Sequence, residues 1–202
     1  MNPVILASAS PRRKQLFQMM GISADVDPSD IEEIIENDLS PGEVVCSLAR
    51  QKAHDVAGRH QDRVLVAADT IVVHNNTILG KPASTQEAEE MLDALSNTSH
   101  DVLTGVSVLN LEPAGAIRDE VTFFSQTKVT FSPLQHTEIR KYVATGNPMD
   151  KAGAYGIQDD YGSLFIKKIE GDYYTVVGFP VNLFYQTLKN EYSNVFKKIF
   201  SA

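Results

Sequence analysis

Arg12, Arg13 and Lys14 follow directly on Ser8-Ala9-Ser10-Pro11, and this stretch carries the most pointed chemistry in the chain. Ser10 ahead of Pro11 predicts a helix N-cap with proline at the first helical position. The apolar run from Val4 to Ala7 before it predicts a buried strand. The helix should run through Leu16, Phe17 and Met20 and stop at Gly21, a residue suited to the position just past a helix end. Three cations crowd its first turn, where the macrodipole is already positive and acidic side chains are favoured. Free N–H groups, the Ser8 and Ser10 hydroxyls and these cations would together hold a polyphosphate. A basic surface turn paired with acidic neighbours accounts for the same residues, and spacing alone does not choose between the two.

Two further residues are out of place for their surroundings. Ser40-Pro41-Gly42-Glu43 is a capping box that opens a helix with the apolar stripe Val44, Val45, Leu48, Ala49, Ala53 and Val56. At about 100° per residue, Lys52 falls inside that stripe. It either snorkels to the rim or points into a polar cleft at an anion. Asp69 sits within the strand-like run from Arg63 to Val73, the most apolar in the sequence. A carboxylate there is costly to bury uncompensated, so it must be paired, bound to metal or partly protonated. A bulge or strand-end turn satisfied by backbone N–H groups is the structural alternative.

Ser8-Ala9-Ser10-Pro11-Arg12-Arg13, Ala68-Asp69-Thr70, Gly80-Lys81-Pro82 and Asn147-Pro148-Met149-Asp150-Lys151-Ala152-Gly153-Ala154-Tyr155-Gly156-Ile157-Gln158 resemble the signature stretches of the Maf family of nucleoside triphosphate pyrophosphatases. The resemblance spans nearly the whole chain, and its last element is similar to the dTTP/UTP-hydrolysing branch. It implies a mixed α/β fold, a twisted sheet with flanking helices forming two lobes around a central cleft, shared with inosine triphosphate pyrophosphatases. Residues 1–202 would make one such domain. It further implies Asp69 as the catalytic base, with Glu33 and Asp69 holding a divalent cation; magnesium or manganese suits all-oxygen ligands. Ser8, Arg12, Arg13, Lys52 and Lys81 would bind the phosphates, and Arg12, Thr70 and Gln158 would govern substrate choice. A Gln158 amide donates and accepts at once, which suits the O4 and N3–H edge of thymine or uracil.

The implied reaction is attack of water at the α-phosphorus, releasing pyrophosphate and leaving the monophosphate. The implied role is clearance of non-standard or surplus nucleotides, with a link to arrest of cell division. Asp159-Asp160-Tyr161 departs from the family pattern, which often has glycine here, and sets two extra carboxylates beside the base pocket. Two other functions fit the same motifs. One is a 7-methyl-GTP pyrophosphatase of the same family, whose branch differs at the Gln158 loop. The other is a non-catalytic septation regulator that binds nucleotide or a protein partner.

The remaining sequence supplies the scaffold. At 202 residues, 43% hydrophobic and 22% charged, the chain has the composition of a soluble globular protein with a sizeable core. A net charge of −8 argues against a non-specific nucleic-acid coat, while the local cations leave a nucleotide open. The single cysteine, Cys46, forms no intrachain disulfide and suits a reducing cytosol as a structural thiol. With no signal-peptide pattern and no apolar run of transmembrane length, a cytoplasmic protein without membrane partners is expected.

Ile22 to Val26 should form a strand, while the acidic stretch Asp30 to Glu36 by itself reads as a solvated face. His74-Asn75-Asn76-Thr77 should be a hairpin turn, and Ser84 with Glu87 should cap a helix carrying Ala88, Met91, Leu92 and Leu95. Val102–Leu111 and Val121–Phe131 read as a long antiparallel hairpin walling the cleft, followed by a helix over Ile139, Tyr142 and Val143 that ends at Gly146. A second hairpin is expected from Leu164–Ile169 and Tyr173–Val177 across Glu170-Gly171-Asp172. Gly178-Phe179-Pro180 should open a terminal helix, and the amphipathic tail to Ala202 should cap the fold or a homodimer. Neither a Walker A sequence, a G-x-G-x-x-G nor an HExxH is present, and the five scattered histidines are not expected to bind metal.

Overall fold

The computed structural model describes residues 4–36, 38–159 and 161–200, so the expectation placed on Asp160 lies outside the described residues. The chain divides into two compact units: Met1–Asp69, Thr104–Ser125 and Gly178–Ala202 form the first, and Thr70–Leu103 and Gln126–Val177 the second.

In the first unit β1 (Val4–Leu6) leads into α1 (Pro11–Met19), which begins as expected at an extended Ser10 whose hydroxyl accepts from the Arg13 N–H. No acidic side chain occupies the first turn of α1. Gly21, at φ 73°, ends the helix in the left-handed region. The Ile22 N–H then donates back to Phe17 O at 2.9 Å, which is why β2 (Ala24–Val26) starts later than the apolar pattern suggests. β1 pairs in parallel with β2 on one side and β3 (Val64–His74) on the other, with Val4 opposite Ala24 and Ile5 opposite Leu65.

Parallel neighbours require crossovers, supplied by α1 and by α2 (Pro41–Ala57). The Ser40–Glu43 capping box of α2 forms in both directions. Ala53, Val56 and Ala57 of α2 pack with Ile5, Ala7, Leu65, Ala67, Leu109 and Leu111 in one apolar cluster. The tail packs on its own chain. Phe184 of α7 (Val181–Glu191) meets Phe17 and Phe179, and Phe196 and Phe200 of α8 (Ser193–Phe200) meet Tyr185.

In the second unit β4 (Thr77–Leu79) folds back antiparallel on the end of β3 through the expected turn, where Asn75 and Asn76 both take positive φ. Ser84 caps α3 (Thr85–Leu95) by accepting from the Glu87 N–H at 3.1 Å. α3 packs with α4 (His136–Val143) around Leu92, Leu95, Phe131, Tyr142 and Phe165. Two 3-10 turns follow, Asn147–Asp150 and Ala152–Ala154.

β5 (Ser99–Leu111) and β6 (Ile117–Phe131) contribute residues to both units and are longer than expected; their connection is closed by Glu112 N–H donating to Ala116 O at 2.8 Å. α5 (Gly162–Phe165), β7 (Ile166–Glu170) and α6 (Tyr173–Val177) complete the second unit. The strand order is β2-β1-β3-β5-β6-β7 with β4 on β3, a mixed sheet with flanking helices as expected.

The second hairpin is not formed. β7 pairs instead with β6, Lys128 standing opposite Glu170, and Tyr173–Val177 is helical despite its β-branched and aromatic residues. The Asp172 carboxylate accepts from the Thr175 N–H at 2.7 Å and from its hydroxyl at 2.8 Å, which starts a helix where propensity favours a strand. Among the described residues no helix is long and apolar enough to cross a membrane.

Candidate active site

Lys52 lies on the α2 face that packs toward the sheet, but its charged end does not reach for the rim. Its Nζ donates to Asp69 Oδ1 at 2.5 Å and lies 2.8 Å from Glu33 Oε1. The Lys52 and Asp69 side chains are only 16% and 13% exposed, whereas Glu33 is 45% exposed. Asp69 therefore compensates its burial by pairing, in the middle of β3 and without a strand-end turn. The acidic stretch that carries Glu33 belongs to neither helix nor strand.

Arg13 adds a second cation to this electrostatic group. Its Nε donates to Gly178 O at 2.8 Å and its Nη1 to Ser8 Oγ at 3.0 Å, so the guanidinium is fixed in direction. Burial lowers its proton affinity; the carboxylate of Asp69 opposes that, Arg12 reinforces it and Glu33 again opposes it. Ser8 also accepts from the Ser10 N–H at 3.2 Å. Thus Ser8, Arg13, Glu33, Lys52 and Asp69 form one charged group in the first unit, with Arg12 beside Arg13.

The other expected residues belong to the second unit. Thr70 follows Asp69 along β3 and is half-buried. Lys81 is exposed after β4, in a loop pinned by Gly153 N–H donating to Gly80 O at 3.0 Å. Gln158 is exposed on a turn. Asp159 beside it is engaged: its Oδ2 accepts from the Tyr142 hydroxyl at 2.6 Å and lies 3.2 Å from Lys151 Nζ. The same hydroxyl accepts from the Gly156 N–H at 3.1 Å, and burial and the Asp159 bond both raise the phenol's proton affinity. Cys46 is half-buried, and burial pushes its thiol up.

A divalent cation can be tested against this arrangement. Two carboxylates converge on a single cationic atom, Lys52 Nζ, and they offer only oxygen. Magnesium sites commonly use one or two protein carboxylates, with water and substrate phosphates completing the shell. Among the described residues no group of three or more metal-binding side chains is present. The donor set fits.

The family described as Maf-like protein matches residues 3–191. The chain belongs to this family. It is 51% identical over 189 residues to a dTTP/UTP pyrophosphatase of Halalkalibacterium halodurans, covering 94% of this chain and 96% of that protein. It is 46% identical to a dTTP/UTP pyrophosphatase of Bacillus cereus strain AH820, covering 94% and 95% respectively. Among solved structures, a HAM1 protein from Coxiella burnetii aligns with 65% of this chain and 73% of that one, at 17% identity and a TM-score of 0.45.

In this Maf-like protein three residues that hold expected site residues, each within its own unit, lie outside the sequence expectation. Gly178 turns its carbonyl to Arg13 at a positive φ of 118°, and the glycine itself is the mark this leaves in the sequence. Tyr142 is expected only as part of the helix that ends at Gly146, yet its hydroxyl end ties Asp159 to Gly156. Gln51, next to Lys52, holds the backbone of Ile34, next to Glu33.

Proposed function

We propose that this chain hydrolyses dTTP and UTP to the nucleoside monophosphate and pyrophosphate. The observation that carries the reading is Lys52 Nζ held between Asp69 and Glu33, with Arg13 fixed on Ser8 and Gly178 and feeling both carboxylates. The names of the relatives above support the substrate.

Asp69 takes the proton from a water whose oxygen attacks the α-phosphorus. The bond from that phosphorus to the bridging oxygen breaks, and pyrophosphate leaves. Ser8, Arg12, Arg13, Lys52 and Lys81 bind the phosphates, and the cations offset the charge that grows on the leaving oxygen. Glu33 and Asp69 would hold a magnesium or manganese ion, which when bound supplies Lewis-acid polarisation of the phosphate. An anion at Lys52 would exchange with the carboxylates that now occupy it.

Arg12, Thr70 and Gln158 govern substrate choice in this reading. Engagement of Asp159 by Tyr142 and Lys151 supports Gln158 as the amide that meets the pyrimidine edge. The role would be removal of surplus or non-standard pyrimidine triphosphates.

The test is pyrophosphate release with magnesium or manganese from dTTP, UTP, CTP, dATP, GTP and 7-methyl-GTP. Selective turnover of dTTP and UTP, reduced about a thousandfold or more in Asp69→Asn, is the expected result. Turnover led by 7-methyl-GTP would overturn the role of Gln158. Nucleotide binding without turnover would overturn the enzymatic reading in favour of a regulator.

A further inference from the structure

We infer that Gln51 is a positioning residue: its side-chain amide holds the Ile34 backbone and so sets Glu33 against Lys52 and Asp69. The inference rests on the reading of Glu33 and Asp69 as ligands of a divalent cation. Glu33 lies on a segment, residues 27–36, that is neither helix nor strand. Its neighbours Ile34 and Ile35 are 66% and 54% exposed, so apolar burial at these two residues does little to anchor it.

What holds the segment beside α2 is polar. Gln51 Oε1 accepts from the Ile34 N–H at 3.0 Å, and Gln51 Nε2 donates to Ile34 O at 2.8 Å. One amide thus supplies the donor and the acceptor that a neighbouring strand would supply. The same Nε2 lies 3.1 Å from Ser47 Oγ, one helical turn back, which fixes the direction of the amide.

The contacts are consecutive on both segments. Gln51 grips Ile34, and Lys52 grips Glu33 at 2.8 Å. These two grips differ in what a ligand does to them. A phosphate competes for Lys52 and a cation competes for Glu33, so the ion pair is the contact that substrate and metal would exchange. The amide bonds carry no net charge, and neither ligand displaces them. Gln51 therefore keeps Glu33 within reach of a cation while Lys52 turns to phosphate.

The experiment measures manganese affinity of the full chain without nucleotide, by the loss of the free-ion electron paramagnetic resonance signal. It compares the natural sequence with Glu33→Gln, Gln51→Ala and the double variant. Hydrogen exchange at the Ile34 amide is followed in parallel. Each single change is expected to weaken manganese binding about tenfold. The double variant should bind no more weakly than Glu33→Gln, because Gln51 acts through Glu33. Ile34 should lose exchange protection in Gln51→Ala.

Gln51→Met keeps the length without adding charge but makes neither bond to Ile34, and should repeat the loss if Gln51→Ala folds poorly. Unchanged affinity in the Gln51 variants, beside a clear loss in Glu33→Gln, would overturn the inference and leave the metal reading standing. Additive losses would also overturn it, since Gln51 would then act elsewhere. No loss in Glu33→Gln would remove the metal reading, and the inference with it.

Discussion

Replacing Lys52 by methionine and Asp69 by asparagine, singly and together, tests whether the ion pair at the centre of the site exists in solution. The Lys52–Asp69 contact is 2.5 Å long between side chains only 16% and 13% exposed. At an effective dielectric constant of about 20 the attraction amounts to several kcal/mol, and desolvation offsets much of it. Lys52→Met leaves a mostly buried carboxylate without its cation and should destabilise by about 3 kcal/mol. Asp69→Asn should cost less, about 1–2 kcal/mol, because Lys52 keeps Glu33 at 2.8 Å. The double variant has neither charge, so the two losses should fall short of additivity by about 2 kcal/mol.

The same cycle between Lys52 and Glu33 should show coupling below about 1 kcal/mol, because the Glu33 side chain is 45% exposed and screened. Urea unfolding followed by circular dichroism measures all of these differences. Coupling under about 0.5 kcal/mol between Lys52 and Asp69 would refute the reasoning. Lys52 would then be a snorkelling lysine, and Asp69 would need another account.

Other outcomes follow from single contacts. A Cβ at Gly105 would lie 2.3 Å from Val45 O, a backbone atom that cannot swing away, so Gly105→Ala should cost about 3 kcal/mol or more, read from a lower urea midpoint. Burial holds His100 near pKa 3, well below its usual 6.5, so in acid the unfolded chain takes up a proton that folded His100 refuses. Stability should therefore fall as pH drops below 6.5 toward about 3, with a His100 share of up to about 1.4 kcal/mol per pH unit that His100→Gln removes. Equal pH slopes in thermal melts of the two proteins would contradict this. Tyr142→Phe removes the donor to Asp159 and the acceptor for the Gly156 N–H, and should cost about 1–3 kcal/mol and lower the turnover ratio of UTP to GTP. If both stability and ratio are unchanged, Tyr142 does not hold the Gln158 turn.

Local structure was legible wherever its cause lies within a few residues. Ser10-Pro11, the Ser40–Glu43 box and Ser84 with Glu87 cap their helices as written, because a cap is settled by side chains reaching three residues along the chain. The apolar run of β3 and the Asn75-Asn76 turn were legible for the same reason. Tyr173–Val177 was misread because its propensity is overruled. Asp172 caps it as a helix, and Asp172 is itself tied by its N–H and carbonyl to Thr127 of β6, each bond 2.9 Å long.

The charged group shows the same division. That Lys52 and Asp69 were out of place followed from the sequence by itself, since a lysine in an apolar stripe must reach the rim or an anion and a carboxylate in an apolar strand must be compensated. Which partners they take was decided by the tertiary structure, because residues 33, 52 and 69 meet only after the parallel pairing of β1 with β3 sets α2 against the sheet. Periodicity along one chain reports how strongly a side chain demands company. Only the packing of separate segments supplies the charge that answers it.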